Sequence, residues 1–215
     1  MIPSELDICT RHPSKTNDQK PEPARMSTPK SHQVRHDLLD AARALITERG
    51  WTAVSTRTLA QRAGVGPGLV HYHFASLNAL LNEAALTGMA QVIDQALTHL
   101  PRTDPRQGLD QLLGKLDAYP PNDPATVLFT EAYLAATRDA DLREGITELL
   151  QRLRTHLTAW LEDGGIAAPE TTAHLLAATA DGLMLHRSLD PDLTADQVAP
   201  VLHRLLNPPP AEEQR

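Results

Sequence analysis

The segment TRTLAQRAGVGPGLVHYHF, residues 56–74, carries side chains that could bind a nucleic acid, and it contains no acidic residue. Arginine near a helix start and threonine with its backbone N–H suit phosphate oxygens, whereas imidazole and phenol groups suit bases and sugars. A glycine at position 68 costs a helix about 1 kcal/mol relative to alanine, which suggests close approach of the backbone to a partner. The expected contact residues are Thr56, Arg57, Gly66, Pro67, Gly68, Leu69, His71, Tyr72, His73 and Ser76.

Two short helices joined by a sharp turn would position these side chains. Ala60 is small enough for the helices to cross closely, and Gly64 can adopt the positive φ that the turn needs. We expect four apolar side chains to point inward against the preceding helix: Leu59, Ala63, Val65 and Val70. This pattern is typical of a DNA-binding helix-turn-helix, whose second helix enters the major groove. An ordinary helical hairpin inside a bundle is the alternative.

The whole chain from Gln33 onward favours helices, because apolar residues recur at spacings of three and four and no stretch alternates with period two for long. We therefore predict an all-α fold, in which an N-terminal three-helix domain that contains the helix-turn-helix is followed by a larger helical domain. The predicted helices cover residues 34–49, 55–63, 67–74, 76–97, 105–118, 124–138, 141–163, 169–188 and 194–206.

The distribution of charge differs along the chain, although the net charge is −7. Residues 31–82 hold 5 basic and 3 acidic side chains, whereas residues 83–215 hold 10 basic and 20 acidic ones. Only the first of these segments is suited to a polyanion. No apolar run is long enough to span a membrane and the chain opens on a polar stretch, so we expect a cytoplasmic protein.

Catalysis and cofactors have no support in the sequence. The glycine-rich nucleotide motifs, the paired-histidine zinc motif and the nucleophile elbow are absent, and Cys9 is the only cysteine. Glu170 and His174 lie four residues apart and could hold the edge of a metal site, but the further ligands of such a site are missing. We expect no cofactor, no metal and no enzymatic activity; a helical-bundle enzyme is the minor alternative.

The run from about Arg35 to Leu81, including LLDAARALITERGWTAVSTRTLAQRAGVGPGLVHYHFASLNALL, resembles the N-terminal DNA-binding domain of the TetR family of bacterial transcriptional regulators. The resemblance implies a homodimer that binds a palindromic operator, mostly as a repressor, and releases the DNA when a small molecule enters the C-terminal domain. Leu77 stands where the family usually has a lysine that reaches a phosphate. With few basic residues available, we expect operator affinity to depend only modestly on salt.

The resemblance also divides the chain. We expect a disordered leader over residues 1–30, the DNA-binding domain over 31–77, the effector-binding and dimerisation domain over 78–207, and a disordered tail over 208–215. The helix after the DNA-binding domain would couple the two functions, because Leu80 and Leu81 face the helix-turn-helix while Val92 and Ile93 face the C-terminal bundle.

The last two predicted helices indicate a self-association surface. The penultimate helix is apolar over more than one stripe, so it must bury one face against its own domain and another against something else. The resemblance implies that this second partner is a twin subunit. The alternative is that both stripes are the core of a monomer. The expected interface residues are Leu175, Ala178, Gly182, Leu185, Val198, Val201, Leu202 and Leu205.

An effector cavity would need bulky or polar side chains within the helices rich in leucine and alanine. Four residues meet this description: Phe129, Tyr133, Trp160 and His174. Together they would suit a partly apolar small molecule of unknown identity. A constitutive DNA-binding dimer without an effector is the alternative, and it differs in that no small molecule would release it.

Overall fold

The structure is a computed structural model that describes residues 29–98, 100–101, 104–120 and 122–206. The leader expected over residues 1–30 and the tail expected over 208–215 lie outside these residues, except that positions 29 and 30 already belong to the first helix. That helix therefore begins earlier than the apolar spacing predicted.

The described residues form α-helices and one short 3-10 turn, with no strand among them, which confirms the predicted all-α fold. Apart from the start of the first helix, every helix end lies within two residues of its predicted position. The elements are α1 (Pro29–Arg49), the 3-10 turn (Trp51–Ala53), α2 (Thr56–Ala63), α3 (Pro67–His73), α4 (Leu77–Leu97), α5 (Pro105–Asp117), α6 (Pro124–Ala136), α7 (Ala140–Asp163), α8 (Pro169–Arg187) and α9 (Ala195–Leu205).

Short polar side chains define where these helices begin. The side-chain oxygen of the residue before the helix accepts a hydrogen bond from a backbone N–H of the first turn, which would otherwise lack a partner. Proline follows directly in α5 and α6, where its missing N–H costs nothing. The residues that cap helices in this way are Ser55, Ser76, Asp104, Asp123 and Asp139.

Two hydrophobic clusters fill the interior. The first packs α1 to α4 against α6 and α7 around buried residues such as Leu38, Leu59 and Leu142. The second packs α5, α7, α8 and α9 around residues such as Leu109 and Leu161. Because α4 and α7 contribute to both, the core continues across the boundary between residues 77 and 78 without a break.

Helix α4 is anchored near both of its ends. Near its start, Arg35 of α1 donates to Glu83, with Nη2 2.6 Å from Oε2. At its end, the ammonium of Lys115 in α5 lies 2.8, 2.9 and 2.8 Å from the carbonyl oxygens of Gln95, Ala96 and Thr98. A cation there satisfies carbonyls that the helix leaves without partners and complements the negative end of the helix dipole. Helix α4 is thus a fixed link between the two clusters.

None of the described helices combines the length and the apolar character that a membrane span requires.

Candidate nucleic-acid interface and internal cavity

The turn between α2 and α3 has the geometry that the glycine predicted. Gly64 adopts φ 68° and ψ 26°, in the left-handed region, and ends α2. The N–H of Val65 then donates to the carbonyl of Ala60 over 3.0 Å, which closes the turn. At the start of α2, the backbone and side chains of Ser55 and Thr58 form a reciprocal capping box. Both ends of α2 are therefore fixed by local sequence.

The inward face of the helix-turn-helix is mostly as expected. Leu59, Ala60 and Val70 are buried in the first cluster. Ala63 and Val65 pack against the same cluster but remain half-buried, because they lie at the edge of the turn. The miniature core thus depends on Leu59 and Val70, which hold α2 and α3 onto α1.

The outward face of α2 and α3 presents the expected contact residues. Tyr72 is 58% exposed, and its ring meets that of His73 edge to face with centroids 5.0 Å apart. Thr56 and His73 are half-buried, and the others are exposed: Arg57, Gly66, Pro67, Gly68, Leu69, His71 and Ser76. A Cβ added at Gly68 would meet no atom within 4 Å, so packing within the chain does not require glycine there. The close approach of a binding partner would explain the glycine at position 68.

The arginines of this half of the molecule fall into two groups. Arg62 pairs with Glu48, with Nη1 2.8 Å from Oε1, and this hydrogen bond lowers the pKa of the glutamate. Arg35 pairs with Glu83 and lies over the ring of Phe74, 4.7 Å from its centroid. In contrast, no residue in the described part of the chain forms a hydrogen bond or ion pair with the Arg57 side chain. Arg57 is therefore available to a phosphate.

The first residue of α4 is Leu77, at a position where a lysine that reaches a phosphate was expected. Leu77 is half-buried and packs against the first cluster, so it contributes apolar contact instead of a charge. Ser76 caps the helix, and its Oγ accepts from the N–H of Ala79 over 3.0 Å. The hydroxyl hydrogen of Ser76 is still available for donation to an oxygen.

An internal cavity of about 320 Å³ lies among α4 to α9. Its walls are almost entirely leucine, alanine and other apolar groups, and Phe129 is among them as expected. A second cavity of about 220 Å³ adjoins it and is lined by Tyr133. The two cavities share Phe129, Asp181 and Met184 in their walls. A volume of this size is in the range that accommodates small organic ligands.

Asp181 and Tyr133 form the polar centre of these cavities. The Tyr133 hydroxyl donates to Oδ2 of Asp181 over 2.9 Å. Burial raises the pKa of Asp181, and the hydrogen bond from Tyr133 only partly offsets the effect. Burial, followed by the negative charge of Asp181, raises the pKa of Tyr133 as well. Asp181 and Lys115 were not among the predicted site residues, although a charged residue between Ala180 and Gly182 in an apolar helix was a visible signal.

Two of the expected effector residues lie elsewhere. The indole N–H of Trp160 donates to the carbonyl of Pro101 over 2.9 Å, and its ring packs on Gly108, so closely that a Cβ there would lie 2.4 Å from the ring. His174 is exposed on α8, where its Nδ1 lies 2.8 Å from the carbonyl of Glu170. Neither residue lines either of the two cavities. Trp160 joins α7 to α5, and His174 faces outward.

Comparison with known proteins identifies the family. Residues 38–84 match the bacterial regulatory proteins of the tetR family, and residues 100–208 match the Tetracyclin repressor-like C-terminal domain. The chain belongs to the TetR family. It is 30% identical to the HTH-type transcriptional regulator BetI of Rhizobium meliloti strain 1021 over 160 residues, which cover 72% of this chain and 78% of that protein.

Two solved structures have a similar fold along most of the chain. The transcriptional regulator SCO7518 of Streptomyces coelicolor A3(2) is 32% identical with a TM-score of 0.67, covering 81% of this chain and 99% of that one. The multidrug binding protein EbrR, solved with imidazole, is 29% identical with a TM-score of 0.67, covering 89% and 100%. This TetR-family protein is therefore a DNA-binding transcriptional regulator with a helix-turn-helix, and not an enzyme.

The surface expected to pair TetR-family subunits is formed by α8 and α9. Leu175 of α8 is 45% exposed and Val201 of α9 is 50% exposed, although both side chains are apolar. Leu185, Leu205 and Ala178 are exposed too, whereas Gly182 and Val198 are half-buried. Leu202 does not belong to this surface, because it is only 6% exposed and lines the larger cavity. The sequence placed Leu202 on the same apolar stripe as Val198, Val201 and Leu205, and helical spacing alone could not show that its side chain points into the cavity.

Proposed function

We infer that this regulator is a homodimeric repressor, released from a palindromic operator by a small molecule that enters the internal cavity. The cavity of about 320 Å³ carries this proposal, because α4 contributes both to its wall and to the packing beneath the helix-turn-helix. The same proposal divides the chain into a DNA-binding part, residues 31–77, and an effector and dimerisation part, residues 78–207. It also includes action in the bacterial cytoplasm.

The DNA side of the proposal depends on α2 and α3. Arg57 is exposed and unpaired within the described chain, so it can neutralise a phosphate. Tyr72 and His71 are exposed on α3, where groups that donate and accept hydrogen bonds can meet base edges and sugars. Two copies of α3 spaced by about one turn of the duplex would bind the two half-sites together.

The effector side depends on the contacts that surround the cavity. Val92 and Ile93 of α4 line the cavity, as expected for a helix that connects ligand and DNA sites. A second connection runs through α6, where the Glu131 carboxylate accepts from the backbone N–H of Trp51 over 2.7 Å, directly before α2. A ligand that favours one packing of α4 or α6 would thereby change the spacing of the two recognition helices. EbrR, a multidrug binding protein of the same architecture, supports a ligand-binding C-terminal domain.

The experiment that tests this function combines Arg57→Ala with Tyr72→Ala. The change should weaken binding to the operator upstream of the gene by on the order of a thousandfold, since each lost contact is worth about 1 kcal/mol and the two contacts occur twice in a dimer. Electrophoretic shift and footprinting of purified protein measure the effect. Both side chains are exposed, so the helical circular dichroism spectrum should be unchanged.

Arg106→Ala is the matched control, because Arg106 is an exposed arginine on α5, away from the helix-turn-helix. It removes the same charge and should leave operator affinity almost unchanged. Operator binding by the folded double variant that equals that of the wild type would refute the assignment of α3 to DNA. Failure of every tested small molecule to release the operator would favour the constitutive dimer instead.

A further inference from the structure

Asp181 is a carboxylate without a counter-charge in the wall of both cavities. One oxygen, Oδ2, accepts from Tyr133, whereas within the described ranges no side chain donates to Oδ1 and no basic group pairs with either oxygen. A charge in an apolar environment is costly unless a partner of opposite sign or several hydrogen bonds compensate it. A single phenol hydroxyl does not provide that compensation.

Two basic side chains of the surrounding helices α5 and α8 are already engaged. Lys115 lines the larger cavity with its stem, but its ammonium is bound to the three carbonyl oxygens at the end of α4. Arg187, on the same helix as Asp181, lies 3.2 Å from Asp117 and donates to the carbonyl of Leu116 over 2.7 Å. Neither can turn toward Asp181 without losing these partners.

The surroundings of Asp181 suit the apolar part of an organic cation. Phe129 and Tyr133 meet edge to face with ring centroids 6.2 Å apart, and both belong to the walls that Asp181 shares. Tyr119 lines the larger cavity. Aromatic faces attract cations through their quadrupoles, most strongly where water is excluded.

We propose that the joined cavities bind an organic cation, with the Asp181 carboxylate as its counter-ion and the rings of Phe129, Tyr133 and Tyr119 around its apolar groups. The ligand supplies the positive charge that no described residue places beside Asp181. This inference rests on the proposed function, in which a small molecule in the same cavity releases the operator. It adds the charge and chemical class of the ligand.

The test compares two molecules of the same shape. Benzyltrimethylammonium and its uncharged carbon analogue, neopentylbenzene, are titrated into the full-length protein by calorimetry and by thermal shift. The cation should bind at least about tenfold more tightly than the analogue. Asp181→Asn should reduce affinity for the cation by at least about tenfold and leave that for neopentylbenzene unchanged, because asparagine keeps the shape and removes the charge.

Glu170→Gln is the matched control, since it makes the same charge change at an exposed position of the same helix. It should bind the cation as the wild type does. Equal binding of the two probes, no binding of the cation by the wild type, or a loss in Asp181→Asn that affects both probes equally would each overturn the proposal. If Asp181→Asn does not fold, the comparison of the two probes on the wild type decides alone.

Calorimetry without DNA separates this inference from the proposed function. If the cation binds through Asp181 but does not release operator DNA, the inference stands and the proposed effector response fails. If an uncharged compound releases operator DNA while the cation does not bind, the function stands and the inference fails.

Discussion

Asp181 should make the stability of the protein depend on pH. Its pKa in the folded state is raised by burial above its ordinary value of about 4. Below that ordinary value both states hold the proton. As pH rises above it, the unfolded chain loses the proton first, so folding stability falls until the pH passes the raised pKa. The groups that face Asp181 across the cavities are Tyr133, Tyr119 and Lys115.

We therefore expect Asp181→Asn to gain stability relative to the wild type as the pH rises above about 4. Asparagine does not ionise, and its carbonyl can still accept from Tyr133. The measurement is the difference in melting temperature between variant and wild type at several pH values, without ligand. Glu170→Gln should not reproduce the trend. A difference that stays constant with pH would mean that Asp181 is not destabilised by burial.

Individual site residues were predictable only where local sequence determines their placement. Arg57, Tyr72 and Gly68 were placed correctly on the exposed side because the capping box and glycine turn of α2, with Pro67 at the start of α3, fix the rotation of these helices. Trp160 and His174 were placed wrongly in the cavity lining, because their environment depends on which distant segment packs beside them. The indole bonds to Pro101, 59 positions away, and no spacing rule encodes that contact.

The helix ends were likewise determined by nearby residues. Ser55, Ser76 and Gly64 satisfy backbone groups within four positions of themselves, so their effect can be read without tertiary structure. The end of α4 differs, because Lys115, 17 positions beyond Thr98, provides the cap. Side chains that cap a helix from another element escape prediction from sequence.

At the scale of elements, Lys115→Met should weaken the last turn of α4. Methionine keeps the apolar stem that lines the cavity and removes the three donors. We expect a loss of about 1.5–3 kcal/mol in the free energy of unfolding, the usual range for hydrogen bonds to a charged group. Urea unfolding measures this loss, and hydrogen exchange should become faster in the amides of the C-terminal turn of α4.

Arg106→Met is the control for this change, because it removes an exposed positive charge from the same helix α5. Its unfolding free energy should stay close to that of the wild type. If exchange in the last turn of α4 is the same in Lys115→Met and the wild type, Lys115 does not hold the end of α4 in solution.

At the scale of the whole molecule, the continuous core makes the two functional parts interdependent. The first cluster includes residues of α1 to α4, α6 and α7, and α6 packs on α1 and on the 3-10 turn before α2, so the helix-turn-helix is connected to the C-terminal helices through these elements. The sequence predicted two domains joined by α4, because periodicity shows which face of a helix is apolar but not which elements share a core. A rearrangement around the cavity therefore has several routes to α2 and α3.

Two such molecules should pair through the exposed apolar surface of α8 and α9. Leu175→Glu combined with Val201→Glu places two carboxylates in the exposed apolar surface of α8 and α9. Burial of unpaired charge should prevent association, so light scattering should report a monomer in place of a dimer. Operator affinity should fall to that of one half-site, because the second recognition helix is no longer tethered. Leu134→Glu is the control, at a leucine that is 55% exposed on α6, and it should remain dimeric. A dimer that persists in the double variant would assign subunit pairing to another surface.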